Sequence, residues 1–197
     1  MSKVILASKS PRRCEILSRV GLSFEIMPAD VDETVSESMS AEEAVAEISR
    51  RKAEAVRARV GDDRIVIACD TMVSVDGRIF GKPVDRADAD RMLHILSGRT
   101  HQVFSGLTVC RGDQMIRGVE RSDVVFRSPT DAEIDAYLAT GEPFDKAGAY
   151  GIQGIGGLLV DSIHGDYYNI VGLPLCRLMT ALRAFGVDLL IGVNGIE

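Results

Sequence analysis

Much of what this chain is can be read from what it has little of. It has four cysteines, Cys14, Cys69, Cys110 and Cys176, and none are spaced as C-x-x-C. Each lies in an apolar stretch with no base near it in sequence. The reading is reduced, mostly buried thiols in a cytoplasmic protein, with neither a disulfide framework nor a catalytic cysteine. The three histidines, His94, His101 and His164, stand at no metal-ligand spacing, which argues against zinc. No apolar run approaches the length of a membrane span. The chain opens on a strand pattern, so no secretory leader is expected. A formal net charge of −6 leaves no general basic face for nucleic acid or a membrane surface. No G-x-G-x-x-G fingerprint occurs, and the stretch from Gly77 to Lys82 lacks the P-loop spacing. Lysine is scarce as well: only Lys3, Lys9, Lys52, Lys82 and Lys146 stand among 23 basic residues. A composition that spends arginine on ordinary surface charge keeps lysine where a compact ammonium is wanted.

With 197 residues, 46% of them hydrophobic, the chain can form one large domain or two small lobes around a shared core. Strand and helix patterns alternate along it. Residues 3–7 read as a strand, residues 11–20 as a helix stopped by Gly21, and residues 24–27 as a short strand. Ser40 and Glu43 form a capping box for a long helix to about Arg59. The apolar strand 64–69 delivers Asp70 at its end, and Asp76-Gly77 marks a hairpin. Asp85 caps a helix ending near Gly98, and two longer strands, 100–110 and 114–126, follow. Thr130 and Glu133 form a second capping box, residues 148–157 are glycine-rich, residues 158–163 read as a strand and residues 174–185 as a helix. Hairpins among the alternating elements favour a mixed α/β sheet over a purely parallel one.

The candidate chemistry gathers at strand ends. After the apolar Val4-Ile5-Leu6 comes A-S-K-S-P-R-R, in which Ser10 suits an N-cap and Pro11 the first helical position. Ser8, Ser10, Arg12 and Arg13 thus meet a helix N-terminus, which favours an anion such as phosphate. Asp70 is the candidate acid or base, with Thr71 after it, and Glu33 in the acidic 30–40 loop is a second carboxylate. Two carboxylates facing phosphates suit Mg²⁺, which takes oxygen ligands. Lys82, between Gly81 and Pro83, is held extended and reads as a phosphate clamp. Lys52, beside Arg50 and Arg51 in the long helix, reads from its residues as an ordinary exposed helix charge. The glycines of D-K-A-G-A-Y-G-I-Q-G-I-G-G, residues 145–157, are expected to let a ligand approach the backbone, and Gln153 suits a base edge. Tyr167 and Tyr168 are candidates to stack on a base.

Taken in order, A-S-K-S-P-R-R, C-D-T-M-V, F-G-K-P, L-S-G-R-T-H, K-A-G-A-Y-G-I-Q-G and N-I-V-G-L-P-L resemble the Maf family of nucleoside triphosphate pyrophosphatases over nearly the whole chain. The resemblance implies a single Maf-like domain over 1–197. It implies a mixed twisted sheet in two lobes with a deep cleft, similar to inosine triphosphate pyrophosphatases. It implies metal-dependent cleavage of a nucleoside triphosphate to the monophosphate and pyrophosphate, with Mg²⁺ or Mn²⁺ as the divalent cation. On it, Asp70 is the proton acceptor; Arg12, Arg13 and Lys82 bind phosphate, with Lys52 as a further contact; Glu33 completes the metal region with Asp70. The branch acting on dTTP and UTP, with Arg12, Thr71 and Gln153 as specificity positions, resembles this chain. The branch acting on 7-methyl-GTP has tryptophan, glutamine and glutamate there. The expected partner is a small nucleotide, with no nucleic acid and no membrane, and a homodimer is left open. The rival reading is a non-catalytic nucleotide-binding regulator of cell division.

Overall fold

Apolar runs without a polar residue must be covered on both faces, and the first two such runs lie side by side in parallel in the computed structural model. The structure describes residues 3–36 and 38–191; the ends of the expected 1–197 domain lie outside the described residues. In chain order the elements are β1 (Val4–Leu6), α1 (Pro11–Arg19), β2 (Glu25–Ile26), α2 (Ala41–Val60), β3 (Ile65–Val75), β4 (Arg78–Phe80) and α3 (Arg86–Leu96). There follow β5 (Thr100–Arg111), β6 (Gln114–Phe126), α4 (Asp131–Ala139), β7 (Val160–His164), α5 (Tyr167–Val171) and α6 (Leu175–Arg183). The sheet order is β2-β1-β3-β5-β6-β7, with β4 added to the far end of β3. The β2-β1-β3 part is parallel and the remainder antiparallel, so the sheet is mixed as expected.

The local signals act where they were read. Ser40 accepts from the Glu43 N–H and Glu43 answers to the Ser40 N–H; Thr130 and Glu133 do the same for α4. Asp76 and Gly77 both have positive φ, 51° and 74°, as a tight hairpin turn requires. Some boundaries differ: the strand read as ending before Asp70 runs on unbroken as β3 to Val75, because Asp70 and Thr71 stay paired with Gly106 and Ser105 of β5. The final strand begins at Val160 rather than at residue 158, because Ile155–Leu159 continues as 3-10 turns through the glycines.

The core divides along β3, and the division places the site. In its first half, Ile65, Ile67 and Cys69 pack with Leu107 and Val109 of β5 under α1 and α6. The alternate residues Val66 and Ala68 meet Ala53 and Val56 of α2 on the other face. In its second half, Val73 and Val75 join a separate cluster with Leu93 and Leu96 of α3 and Ile134 and Leu138 of α4. Asp70, Thr71 and Met72 belong to neither cluster: they form a waist between two lobes. Opposite Asp70 on β5 sits Gly106. A Cβ there would fall 2.1 Å from the Val45 carbonyl oxygen of α2. Only glycine lets the helix backbone rest on the sheet so closely, and two turns further along α2 Lys52 arrives over Asp70.

His101 on β5 is fully buried among aromatic rings, edge-on to Phe126 at 5.0 Å and to Tyr150 at 5.3 Å, with Nε2 2.8 Å from the Tyr150 hydroxyl. Burial pushes its pKa down to about 4. As pH falls the unfolded chain takes the proton first, so stability present above about pH 6.5 is lost progressively toward pH 4. That shift corresponds to a loss on the order of 3 kcal/mol. Urea unfolding between pH 7 and pH 4.5 is expected to show a steeper decline for wild type than for His101→Gln. Parallel declines would assign the acid sensitivity to other groups.

Candidate active site at the waist of the sheet

A cleft of about 900 Å³ opens between the lobes. Its walls come from segments far apart in sequence: the turn after β1, the acidic loop, α2, the middle of β3, Gly81-Lys82, the glycine-rich segment and the turn after α5. Ten residues selected from sequence line it: Asp70 and Thr71; Ser8, Ser10, Arg12 and Arg13; Lys52 and Glu33; Lys82; and Gln153. So do four of the five lysines, Lys9, Lys52, Lys82 and Lys146, in a chain that carries net negative charge. Tyr167 and Tyr168 do not line it; they stack edge-on with each other and are partly exposed elsewhere.

At the floor, Lys52 Nζ lies 2.7 Å from Asp70 Oδ1 and 2.9 Å from Glu33 Oε1. The Lys52 and Asp70 side chains are only 10% and 11% exposed, whereas Glu33 is 58% exposed. Lys52 is therefore a buried bridge between two carboxylates and not a solvated helix charge. It holds Asp70 in one orientation through Oδ1, and no described residue hydrogen-bonds Oδ2. Arg50 and Arg51, its neighbours, spend their charge on Glu47 at the helix surface.

The start of α1 forms the second wall. Ser10 is the N-cap residue as expected, but its hydroxyl makes no capping bond; instead its N–H donates to Ser8 Oγ at 3.2 Å. The first-turn N–H groups are thus left uncapped by the side chain, as an anion-binding helix start would need. Arg13 is buried and donates three ways: to the Gly172 carbonyl at 2.8 Å, to Ser8 Oγ at 3.0 Å and to Thr71 Oγ1 at 3.1 Å. It keeps two further N–H bonds for a ligand. Ser105 donates to the Asn169 carbonyl, so in the 2.8 Å Thr71–Ser105 contact Thr71 is the donor. The Thr71 hydroxyl proton is thereby directed away from the cleft. Arg12, less buried, pairs with Asp145 across the mouth at 2.9 Å. Lys82 is exposed and has no ion pair among the described residues.

The glycine-rich segment has a reason beyond the one expected. A Cβ on Gly154 would meet Glu142 Oε2 at 2.2 Å, one on Gly156 the Tyr137 hydroxyl at 2.5 Å, and one on Gly151 the Lys146 side chain at 2.5 Å. These glycines let the loop close over protein side chains, while Gly151 and Gly154 also line the cleft. Sequence reading missed Glu142, Tyr137 and Ser105. A serine inside a β-strand carries no local signal, and Glu142 stands four residues ahead of K-A-G-A-Y with no motif of its own. Asn169, given little weight in the sequence, is fully buried and ties β5 to β6 through Val103 O and Ser122 Oγ.

The donors suit a hard divalent cation. Asp70 and Glu33 both flank Lys52 Nζ and offer only oxygen. Among the described residues no cluster of three or more His, Cys, Asp or Glu forms a complete cage. Two carboxylates with the remaining ligands from phosphate and water fit Mg²⁺ or Mn²⁺.

Residues 3–185 match the family described as "Maf-like protein". A dTTP/UTP pyrophosphatase of Bacillus anthracis is 46% identical over 188 residues, covering 95% of this chain and 98% of that protein. The dTTP/UTP pyrophosphatase of Bacillus cereus is also 46% identical, covering 95% and 92%. Among solved structures, the Staphylococcus aureus Ham1 protein aligns with a TM-score of 0.45 at 19% identity over 65% of this chain and 72% of that one. No helix among the described residues is long and apolar enough to cross a membrane.

Proposed function

This chain belongs to the Maf-like family, and from that premise we propose that it hydrolyses dTTP and UTP to the nucleoside monophosphate and pyrophosphate. The observation that carries the reading is the cation set around one buried carboxylate: Lys9, Arg13, Lys52 and Lys82 line the cleft whose floor is Asp70. A triphosphate needs its charge neutralised at several points, and the leaving pyrophosphate most of all.

Arg13, fixed by Ser8, Gly172 and Thr71, presents its free N–H bonds without having to reorganise. Lys82 closes on the phosphates from the opposite side. Asp70 Oδ2 accepts the proton of the attacking water while its oxygen bonds to the α-phosphorus. The bond from that phosphorus to the bridging oxygen then breaks, and pyrophosphate leaves with the electron pair. A divalent cation held by Asp70 and Glu33 would add charge stabilisation on the phosphate oxygens. Arg12, Thr71 and Gln153 face the remaining space and set base preference in this reading.

The test is a screen of UTP, dTTP, CTP, ATP and GTP with Mg²⁺ or Mn²⁺, scoring pyrophosphate and monophosphate separately. Pyrophosphate from UTP and dTTP supports the reading; orthophosphate release, or nucleotide binding without turnover, defeats it. Lys82→Ala removes one charge-assisted contact and touches no described carboxylate, so the fold should be unchanged. Its kcat/KM for UTP is expected to fall roughly 10- to 100-fold, corresponding to about 1.5–3 kcal/mol. Wild-type kinetics in that variant would place the phosphate clamp elsewhere.

A further inference from the structure

Gln153 has no hydrogen-bond partner for its own side chain among the described residues, yet it lines the cleft. Its amide is therefore placed by the backbone that carries it. That backbone turns tightly, with Gly154 N–H donating to the Gly151 carbonyl at 3.3 Å. Beneath the turn lies Glu142. Its Oε2 accepts from the Ile155 N–H at 2.9 Å, and its Oε1 accepts from the Gly156 N–H and the Tyr137 hydroxyl, both at 3.0 Å. The Tyr137 oxygen in turn accepts from the Gly151 N–H at 3.1 Å, so one carboxylate and one phenol clamp both ends of the turn. Burial works against the charge on Glu142. The Gly156 and Ile155 N–H groups, the Tyr137 hydroxyl and Lys146 nonetheless hold its pKa below the ordinary carboxylate value. With both oxygens so occupied, Glu142 is poorly suited to act as a cation ligand or base in the cleft.

We infer that Glu142 is the positioning residue for Gln153, and that its contacts with the Ile155 and Gly156 N–H groups are what make this cleft select a pyrimidine base. The inference rests on the reading of the cleft as a nucleotide site. Without the carboxylate the turn carries unpaired donors, relaxes, and lets the Gln153 amide wander. Small misplacements of a recognising group are costly to the cognate base and nearly free for a base that never used it.

The experiment compares wild type, Glu142→Ala and Glu142→Gln by kcat and KM for UTP and ATP, with hydrogen exchange on nucleotide-free protein. Glu142→Ala is expected to speed exchange at residues 151–156 and to raise KM for UTP about tenfold or more with little change in kcat. The UTP-to-ATP ratio of kcat/KM should fall by a similar factor, with Glu142→Gln intermediate because it keeps one acceptor. A folded Glu142→Ala protein with the wild-type ratio overturns the inference, and so does a fall in kcat that leaves the ratio intact. If Glu142→Ala does not fold, the same comparison is decided by Glu142→Gln. If wild type releases no pyrophosphate, the proposed function fails in that arm alone. The UTP-to-ATP ratio of dissociation constants across the same three proteins then decides the positioning role.

Discussion

Asp70→Asn is expected to cut pyrophosphate release from UTP by about a thousandfold or more, within the range that a positioned proton acceptor contributes. The amide has nearly the shape of the carboxylate, and its oxygen can still accept from Lys52. Lys52 also keeps its 2.9 Å pair with Glu33, so the floor of the cleft should hold together. What is lost is the capacity of Oδ2 to take a proton and the second carboxylate a cation would need. The check is single-turnover and steady-state kinetics alongside thermal unfolding and nucleotide binding. A variant that folds, binds UTP and turns it over at near wild-type rate would remove Asp70 from the chemistry.

Lys52→Met should cost both stability and activity. The ammonium is nearly buried against a nearly buried Asp70, with Glu33 on its other side. Removing it leaves two carboxylates converging without the cation between them. Breaking one partner of a buried pair costs about 3–5 kcal/mol, and the exposure of Glu33 points to the lower end here. Much of that cost is the orphaned charge on Asp70, so Lys52→Met in an Asp70→Asn background should cost less, by about 1–3 kcal/mol. Urea unfolding of the four proteins measures this coupling. Strict additivity would mean that the ion pair is incidental to the fold. Activity should fall in Lys52→Met whatever the stability result, because the cation that orients Asp70 at the floor of the cleft is removed.

The comparison of Lys52 with its neighbours shows where sequence reading stops. Arg50, Arg51 and Lys52 are three consecutive cations on one helix, and nothing in that string separates them. In the structure Arg50 and Arg51 pair with Glu47, while Lys52 is turned inward onto Asp70. The difference is made 54 residues away, by the missing Cβ of Gly106 that lets α2 settle on the sheet. Glycine density in residues 148–157 was legible, but its cause was not. Glu142 and Tyr137 reach those glycines from a helix end and a turn that carry no motif of their own. Thr71 was legible as a site residue, yet the direction of its hydroxyl depends on Ser105, a strand serine with no local signal.

Sequence alone determined the features that depend on near neighbours. The strands follow from apolar runs, the capped helices from Ser40 with Glu43 and Thr130 with Glu133, and the hairpin from Asp76-Gly77. The S-P-R-R turn follows the end of β1, as read; Asp70, read at a strand end, lies within the continuous β3 instead. The local features follow because backbone conformation and capping are settled within a few residues along the chain. Tertiary structure alone decided the split of the core into two lobes, the burial of Lys52 between Asp70 and Glu33 and the clamp on the Gln153 turn. Each is a meeting of groups from different elements, and packing of whole elements against one another, down to a single absent methyl group, determines which distant side chains come within hydrogen-bond range.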